Sequence, residues 1–384
     1  MSSPEFDSLF MQQALRLAAL GRGRSHPDPM TGAVIVREKQ VRGAGFQRRA
    51  GGASAVTQAL AAANAAAQGA TLYTTIEPEA EPLIQAGVRR VVCAMLHPDP
   101  ALAGVGIARL RAAGIEAEVG VCEAQARELN RTWLTWKQTG RPYVILKWAM
   151  TLDGKIACAS GDSRWVTGDT AREHLHSIRD QVDAILVGEN TARRDDPELT
   201  ARPKSPGALP AWHGGMDPGP DPDWMPKDPL RILVDSVIRT DTKTRLFSSD
   251  LQDRMMPNKT LVATTAIASS LKINAIKAGG NDVVVLPEKD GQVSLAPLLD
   301  ELGSRGVTSL LVEGGARIHW SFLNQGLADY LMVYVAPKVI GGTGAPGPVA
   351  GSGLMQMAAA WQTGPLAVTQ IGEDVLLQGE LRRS

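Results

Sequence analysis

Twice along this 384-residue chain, short apolar runs alternate with amphipathic or alanine-rich stretches of helix length. In the first half, strand-like runs occupy 33–36, 71–76 and 90–95. Between and after them lie the alanine-rich stretch 54–68 and the amphipathic stretch 106–113. Residues 10–20 have helical spacing and stop at Gly21, and 123–138 read as one helix that Gly140-Arg141-Pro142 ends. The second half restarts the alternation at 143–149, 184–188, 231–235, 260–264, 282–286, 309–313 and 330–336. A βα alternation folds into a mostly parallel sheet with helices on its faces. The expectation is two α/β domains, 1–141 and 142–384. Only 203–229, dense in Pro and Gly and carrying Trp212 and Trp224, breaks the pattern. A stretch of that length is either functional or disordered; a partly ordered surface insertion is favoured.

Forty basic and forty acidic side chains cancel, so nucleic acid and membrane surfaces find no electrostatic support. The acidic start lacks a hydrophobic run, and no apolar stretch approaches the roughly 20 residues that span a bilayer. Three scattered cysteines suit a reducing cytosol, giving a cytoplasmic expectation.

The first half carries a frame without its chemistry. Residues 27–36 read Pro-Asp-Pro-Met-Thr-Gly-Ala-Val-Ile-Val, and 69–78 form a strand ending at Glu77-Pro78. A zinc deaminase needs a His, a proton-shuttling Glu two residues on, and a Pro-Cys followed by a second Cys. Here Ser54-Ala55-Val56 stands where His-Ala-Glu would, and Pro78 is followed by Glu79. Cys93, Cys122 and Cys158 are not at metal spacing, and Cys93 lies in an apolar run that reads as buried. His174 and His176, two apart on a helix, point to different faces, while His26 and His97 flank prolines. No zinc site is expected. With this frame the chain resembles the bifunctional riboflavin-pathway deaminase/reductase family, with the loop between the family's two cysteines missing.

The second half resembles the reductase half of that family. The matching segments are 141–157, 161–167, Leu186-Val187-Gly188-Glu189-Asn190-Thr191, 195–202, Val312-Glu313-Gly314-Gly315-Ala316 and 336–342. The resemblance implies a cytidine-deaminase-like α/β domain followed by a dihydrofolate-reductase-like α/β domain. It implies NADPH held by Ala149, Trp165, Thr191 and Asp195, and by Gly315, Ala316, Arg317, Ile318, His319, Trp320 and Ser321. Ser236 is a weaker candidate for the adenosine end. It also implies a phosphoribosylaminopyrimidine substrate held by Ser163, Arg179, Leu199, Arg202 and Glu313. Independently of the family, Glu313-Gly314-Gly315 ends a strand and opens a helix over 316–324, where backbone can approach a diphosphate. Lys147 interrupts an apolar strand, where an unpaired ammonium is costly. It should therefore face a carboxylate or a substrate; the resemblance implies Lys147 and Glu313 as the catalytic pair. Residues 342–347 match G-x-G-x-x-G, but Pro346 and Pro348 forbid the helix such a fingerprint must open.

These residues point to reduction of 5-amino-6-(5-phosphoribosylamino)uracil, without deaminase activity, by a homo-oligomer that could work beside a separate deaminase. Two alternatives stay open: a reductase of another phosphoribosylated pyrimidine or a pteridine, and a non-catalytic nucleotide-binding scaffold.

Overall fold

The computed structural model describes residues 4–204, 224–248 and 260–382. The chain divides into two compact units, with the division between Gly140 and Arg141.

In the first unit, helix α1 (Pro4–Ala19) leads into strands β1 (Gly32–Arg37) and β2 (Gln40–Phe46) and helix α2 (Ala55–Ala63). Then follow β3 (Thr71–Thr74), α3 (Glu81–Gln85), β4 (Arg90–Cys93), α4 (Val105–Ala112), β5 (Glu116–Val119), α5 (Glu123–Leu129) and α6 (Arg131–Thr139). The sheet order is β2-β1-β3-β4-β5. Strand period assigns the two faces of β1. Val34 and Val36 pack with Phe10, Met11 and Ala14 of α1, while Ala33 and Ile35 pack with Ala55, Ala59 and Ala63 of α2. The alanines have a reason: a methyl group at Gly43 or Gly45 of β2 would run into the α2 backbone. Helix and strand therefore approach backbone to backbone.

Three expectations for this unit need correction. Strand β1 is antiparallel to both neighbours, so the sheet is mixed rather than mostly parallel. Strands β2 and β5 were not foreseen. The segment 123–138 is two helices, because Asn130 leaves helical geometry at φ −102°, ψ 19°. Its buried amide bonds both backbone groups of Met30, accepting from N–H at 2.8 Å and donating to C=O at 3.0 Å.

The second unit contains β6 (Tyr143–Thr151), α7 (Asp169–Gln181), β7 (Ala184–Gly188), α8 (Glu189–Asp195), β8 (Leu230–Val234), β9 (Thr260–Thr264), α9 (Ser270–Ala278) and β10 (Asp282–Val285). A small hairpin, β11 (Glu288–Lys289) with β12 (Gln292–Val293), precedes α10 (Leu295–Ser304), β13 (Ser309–Gly314), α11 (Ala316–Asn324), β14 (Tyr330–Ala336), β15 (Ala367–Ile371) and β16 (Asp374–Glu380). The large sheet runs β10-β9-β8-β7-β13-β6-β14-β16-β15, parallel through β14 and antiparallel beyond it. Both faces of the central strands are covered, which explains their unbroken apolar runs. Leu310 and Val312 join one core with Leu186 and Phe322, and Leu311 joins the other with Ile185 and Val187. All seven strand runs read from this half are present; the β11–β12 hairpin and the β15–β16 pair were not foreseen. Residues 342–347 contain no helix. Most of the 203–229 segment lies outside the described residues. No helix among the described residues is long and apolar enough to cross a membrane.

Candidate active site

Parallel strands end on one side, so the carboxyl ends of β6, β13, β7 and β8 share an edge of the large sheet. Leu146 of β6 pairs with Val312 of β13, which sets Lys147 beside Glu313 one position on. Lys147 Nζ lies 3.6 Å from Glu313 Oε2. Arg179 reaches in from α7 and binds the same carboxylate in a fork, Nε to Oε1 at 2.7 Å and Nη2 to Oε2 at 2.9 Å. The three side chains are 12, 7 and 12% exposed for Lys147, Glu313 and Arg179. The carboxylate expected beside Lys147 is thus Glu313, and a second cation shares it.

Burial pushes the Glu313 carboxyl up, but the Arg179 and Lys147 charges overcome that and hold it down at about 2. Burial pushes the Lys147 ammonium below the ordinary lysine range; Glu313 opposes this and Arg179 adds to it. The pocket therefore holds two cations on one anion, with an ammonium readier than usual to give up a proton. Such a cluster can orient an electron-rich substrate and move a proton at Lys147 Nζ.

Tyr334 of β14 lies beneath Lys147, with Nζ 5.9 Å from the ring centroid. Its hydroxyl is 2.7 Å from His174 Nδ1. Burial lowers the His174 pKa and raises that of Tyr334. This hydrogen bond joins α7 to β14. The sequence weighed His174 only as a metal ligand and did not single out Tyr334, because α7 and β14 are brought together only by the fold.

Of the other expected substrate positions, Leu199 and Arg202 lie on the segment that Arg179 reaches. Arg179 Nη1 donates to the Thr200 carbonyl at 3.2 Å, joining α7 to the segment that holds Leu199 and Arg202. Leu199 is buried with φ +55°. Arg202 donates to Thr200 Oγ1 at 2.6 Å and pairs with Glu198, which Arg245 also contacts. Ser163 sits in the loop before Trp165. The Trp165 indole is 60% exposed beneath the Arg172 guanidinium, 4.4 Å from the ring centroid.

The expected cofactor segment lies at the turn from β13 into α11. Gly314 has φ +141°, where side chains other than glycine are strained. A methyl at Gly315 would stand 3.1 Å from Thr191 Oγ1, so α8 closes tightly on this turn. No side chain caps the amino end of α11. Along that helix Arg317 is exposed, Ile318 packs on the core, and Ser321 Oγ returns a hydrogen bond to the Arg317 carbonyl at 3.0 Å. The Ala316 carbonyl accepts from Ala350 at 3.0 Å. His319 is buried, with Nδ1 2.9 Å from the Pro348 carbonyl. Trp320 meets Trp361 at 5.6 Å beside a cavity of about 470 Å³ that Met355 and Met357 also line. Ala149 pairs with Tyr334 on β14. The Asp195 carbonyl, at the end of α8, accepts from Arg164 at 2.8 Å. Ser236 follows β8, away from the Lys147 cluster, and accepts from Val293 N–H at 3.1 Å.

In the first unit, Ser54 caps α2, its Oγ accepting from Thr57 N–H at 3.1 Å. Asp28 Oδ2 accepts from Gly51 N–H at 2.8 Å and from Gln47 Nε2 at 3.3 Å, fixing the 47–51 loop. Glu77 gathers four backbone N–H groups, from His97, Gly104, Gly106 and Ile107, at 2.8–3.2 Å. Cys93 is buried, and burial pushes its thiol far up. Among the described residues no three His, Cys, Asp or Glu side chains gather as metal ligands.

Comparison with known proteins agrees with both units. Residues 142–377 match the RibD C-terminal domain, and residues 4–95 match the cytidine and deoxycytidylate deaminase zinc-binding region. The riboflavin biosynthesis protein RibD of Aquifex aeolicus is 34% identical over 97% of this chain and 98% of its own. The structure of Acinetobacter baumannii RibD superposes with a TM-score of 0.84 at 31% identity, covering 99% of this chain and 100% of that one. A diaminohydroxyphosphoribosylaminopyrimidine deaminase/5-amino-6-(5-phosphoribosylamino)uracil reductase from Thermotoga maritima gives 0.80 at 26% identity, covering 99% of each chain. A cytidine-deaminase-like domain is thus followed by a dihydrofolate-reductase-like one. The chain belongs to the RibD family of riboflavin biosynthesis proteins.

Proposed function

We propose that the second unit reduces the ribosyl group of 5-amino-6-(5-phosphoribosylamino)uracil to the ribityl chain with NADPH, and that the first unit no longer deaminates. The observation that carries the reductase reading is the buried Lys147–Glu313–Arg179 cluster at the strand ends, next to the uncapped glycine turn of α11. NADPH fits that turn: the free N–H groups of a helix start favour a diphosphate, and Gly314 and Gly315 let backbone approach it. When bound, NADPH supplies the hydride to C1 of the opened sugar. Lys147 Nζ, held by Glu313, would give a proton to the ring oxygen as the C1–O bond breaks, leaving C1 as the C1=N iminium carbon that the hydride neutralises. The purified protein should oxidise NADPH when given the deaminated pathway intermediate. Absence of turnover with that compound, in protein that binds NADPH, would remove this assignment.

Loss of the deaminase rests on the residues at the old site. Ser54 is occupied as a helix cap, Val56 cannot carry a proton, and Glu79 is exposed where the first cysteine would stand. This donor set does not fit a catalytic zinc, which takes three protein ligands and a water. Elemental analysis of protein purified without a histidine tag should find no stoichiometric zinc. About one tightly bound zinc per chain would overturn the reading.

Arg202 and Arg179 are assigned to the ribose phosphate, with unequal freedom. Arg179 commits three of its five N–H groups to Glu313 and Thr200, leaving two for substrate. Arg202→Ala should weaken binding of phosphorylated substrate by about tenfold to 150-fold, the range for losing a hydrogen bond to a charged group. The dephosphorylated compound should lose little. Arg179→Ala should show the same difference plus lower turnover, because Glu313 loses its partner. Equal losses for both compounds in Arg202→Ala would exclude a phosphate contact.

A further inference from the structure

A second charged cluster lies on the same sheet edge, two strands out from Lys147. Glu189 opens α8 directly after β7, and its carboxylate receives two arginines. Arg193 Nη1 meets Oε1 at 2.9 Å, and Arg239 Nη1 meets Oε2 at 3.7 Å. Their side chains are 52 and 63% exposed. Two guanidinium groups on one carboxylate leave a net positive charge and outward N–H donors.

The Arg239 backbone is held firmly. Asp235, at the end of β8, is buried, and its Oδ2 accepts from Arg239 N–H, Thr240 N–H and Thr240 Oγ1, each at 2.8 Å. This turn, with Ile238 at φ +54°, presents Arg239 at the strand end. Next to Asp235, Ser236 Oγ accepts from Val293 N–H, which leaves its own proton to donate.

Helix α8 links this cluster to the glycine turn. Thr191 in its first turn leaves little room for a side chain at Gly315, and Arg193 follows two residues later. In open α/β sheets a dinucleotide lies across the carboxyl ends of the strands. A dinucleotide with its reactive end at β6 and β13 would carry its adenosine end over β7 and β8.

We propose that Arg193 and Arg239, drawn together by Glu189, grip the 2′-phosphate of NADPH and set its preference over NADH. This inference rests on the reductase reading above. An isolated surface ion pair contributes little to stability, but two arginines on a shared carboxylate make a preorganised fork for a phosphate dianion. The 2′-hydroxyl of NADH offers that fork no charge.

Calorimetric titration with adenosine 2′,5′-bisphosphate and with adenosine 5′-monophosphate separates the outcomes without turnover. The parent protein should prefer the bisphosphate. Arg239→Ala and Arg193→Ala should each weaken the bisphosphate by about tenfold or more, with the monophosphate changed by less than about twofold. Arg239→Lys should recover part of the loss. Should one variant fail to fold, the other carries the test. Equal losses for both nucleotides, or none for either, would overturn the clamp while leaving the reductase reading intact. A parent protein that binds neither nucleotide would overturn both.

Discussion

Glu313→Ala is expected to lower NADPH-dependent turnover by about 10²–10⁴-fold and to destabilise the second unit by about 3–5 kcal/mol. Both effects have one cause. The side chain is the common anion for Lys147 and Arg179, and removing it leaves two largely buried cations facing each other. Lys147→Met should separate the effects. It removes the proton donor, so turnover should fall comparably. It leaves the Arg179–Glu313 fork intact, so stability should change far less. Thermal unfolding and steady-state kinetics on the two variants check this. Unchanged turnover in both would remove the pair from the chemistry. Stability loss in both without turnover loss would make the cluster a packing device.

The acid limb follows with a definite sign. The Glu313 carboxyl is depressed to about 2, so its contribution to stability is full above the ordinary carboxylate range. That contribution is lost only as pH falls from there toward about 2. Any change in activity between pH 5 and 8 must come from another group. His174 and Lys147, both of which burial pushes below their ordinary ranges, are where to look first.

Legibility from the sequence followed a physical division. Long apolar strands buried on both faces announced themselves, and so did Lys147, because an ammonium in such a strand needs a partner. The turn at Glu313-Gly314-Gly315 and the helix over 316–324 were readable because glycine and helix start leave local marks. Three kinds of feature left none. Strand β15 is exposed along most of its length, so it lacks an apolar signature. Strand β2 is written with Gly43 and Gly45, which serve the approach of α2 and lower strand propensity. The break at Asn130 depends on Met30, one hundred residues away. Contacts among α7, β14 and the strand ends after β7 and β8 are of this last kind. The pairing of His174 with Tyr334 and the Glu189 cluster therefore became visible only in the folded chain.

The first unit holds a costly polar centre of its own. Arg90→Met should destabilise that unit by about 3–5 kcal/mol. Arg90 on β4 and Asp7 on α1 are 5 and 4% exposed. Arg90 binds Asp7 in a fork at 2.8 and 3.0 Å, and the Tyr73 hydroxyl donates to the same carboxylate at 2.7 Å. Arg90 also reaches Glu116 at 3.2 Å and Glu118, both more exposed. Losing Arg90 leaves Asp7 as a buried carboxylate with one donor, whereas Glu116 and Glu118 can turn to water. The triple variant Asp7→Leu/Arg90→Met/Tyr73→Phe should recover most of the loss, because an apolar replacement removes the charge that needed pairing. Thermal unfolding of the full chain compares the two variants. A cost for Arg90→Met below about 1 kcal/mol, as for a surface pair, would show that the centre is solvated and does not hold α1 on the sheet. If the cost is as large as expected, it falls on the element that packs against Val34 and Val36, so the fold alone gives a reason to keep Arg90 and Asp7.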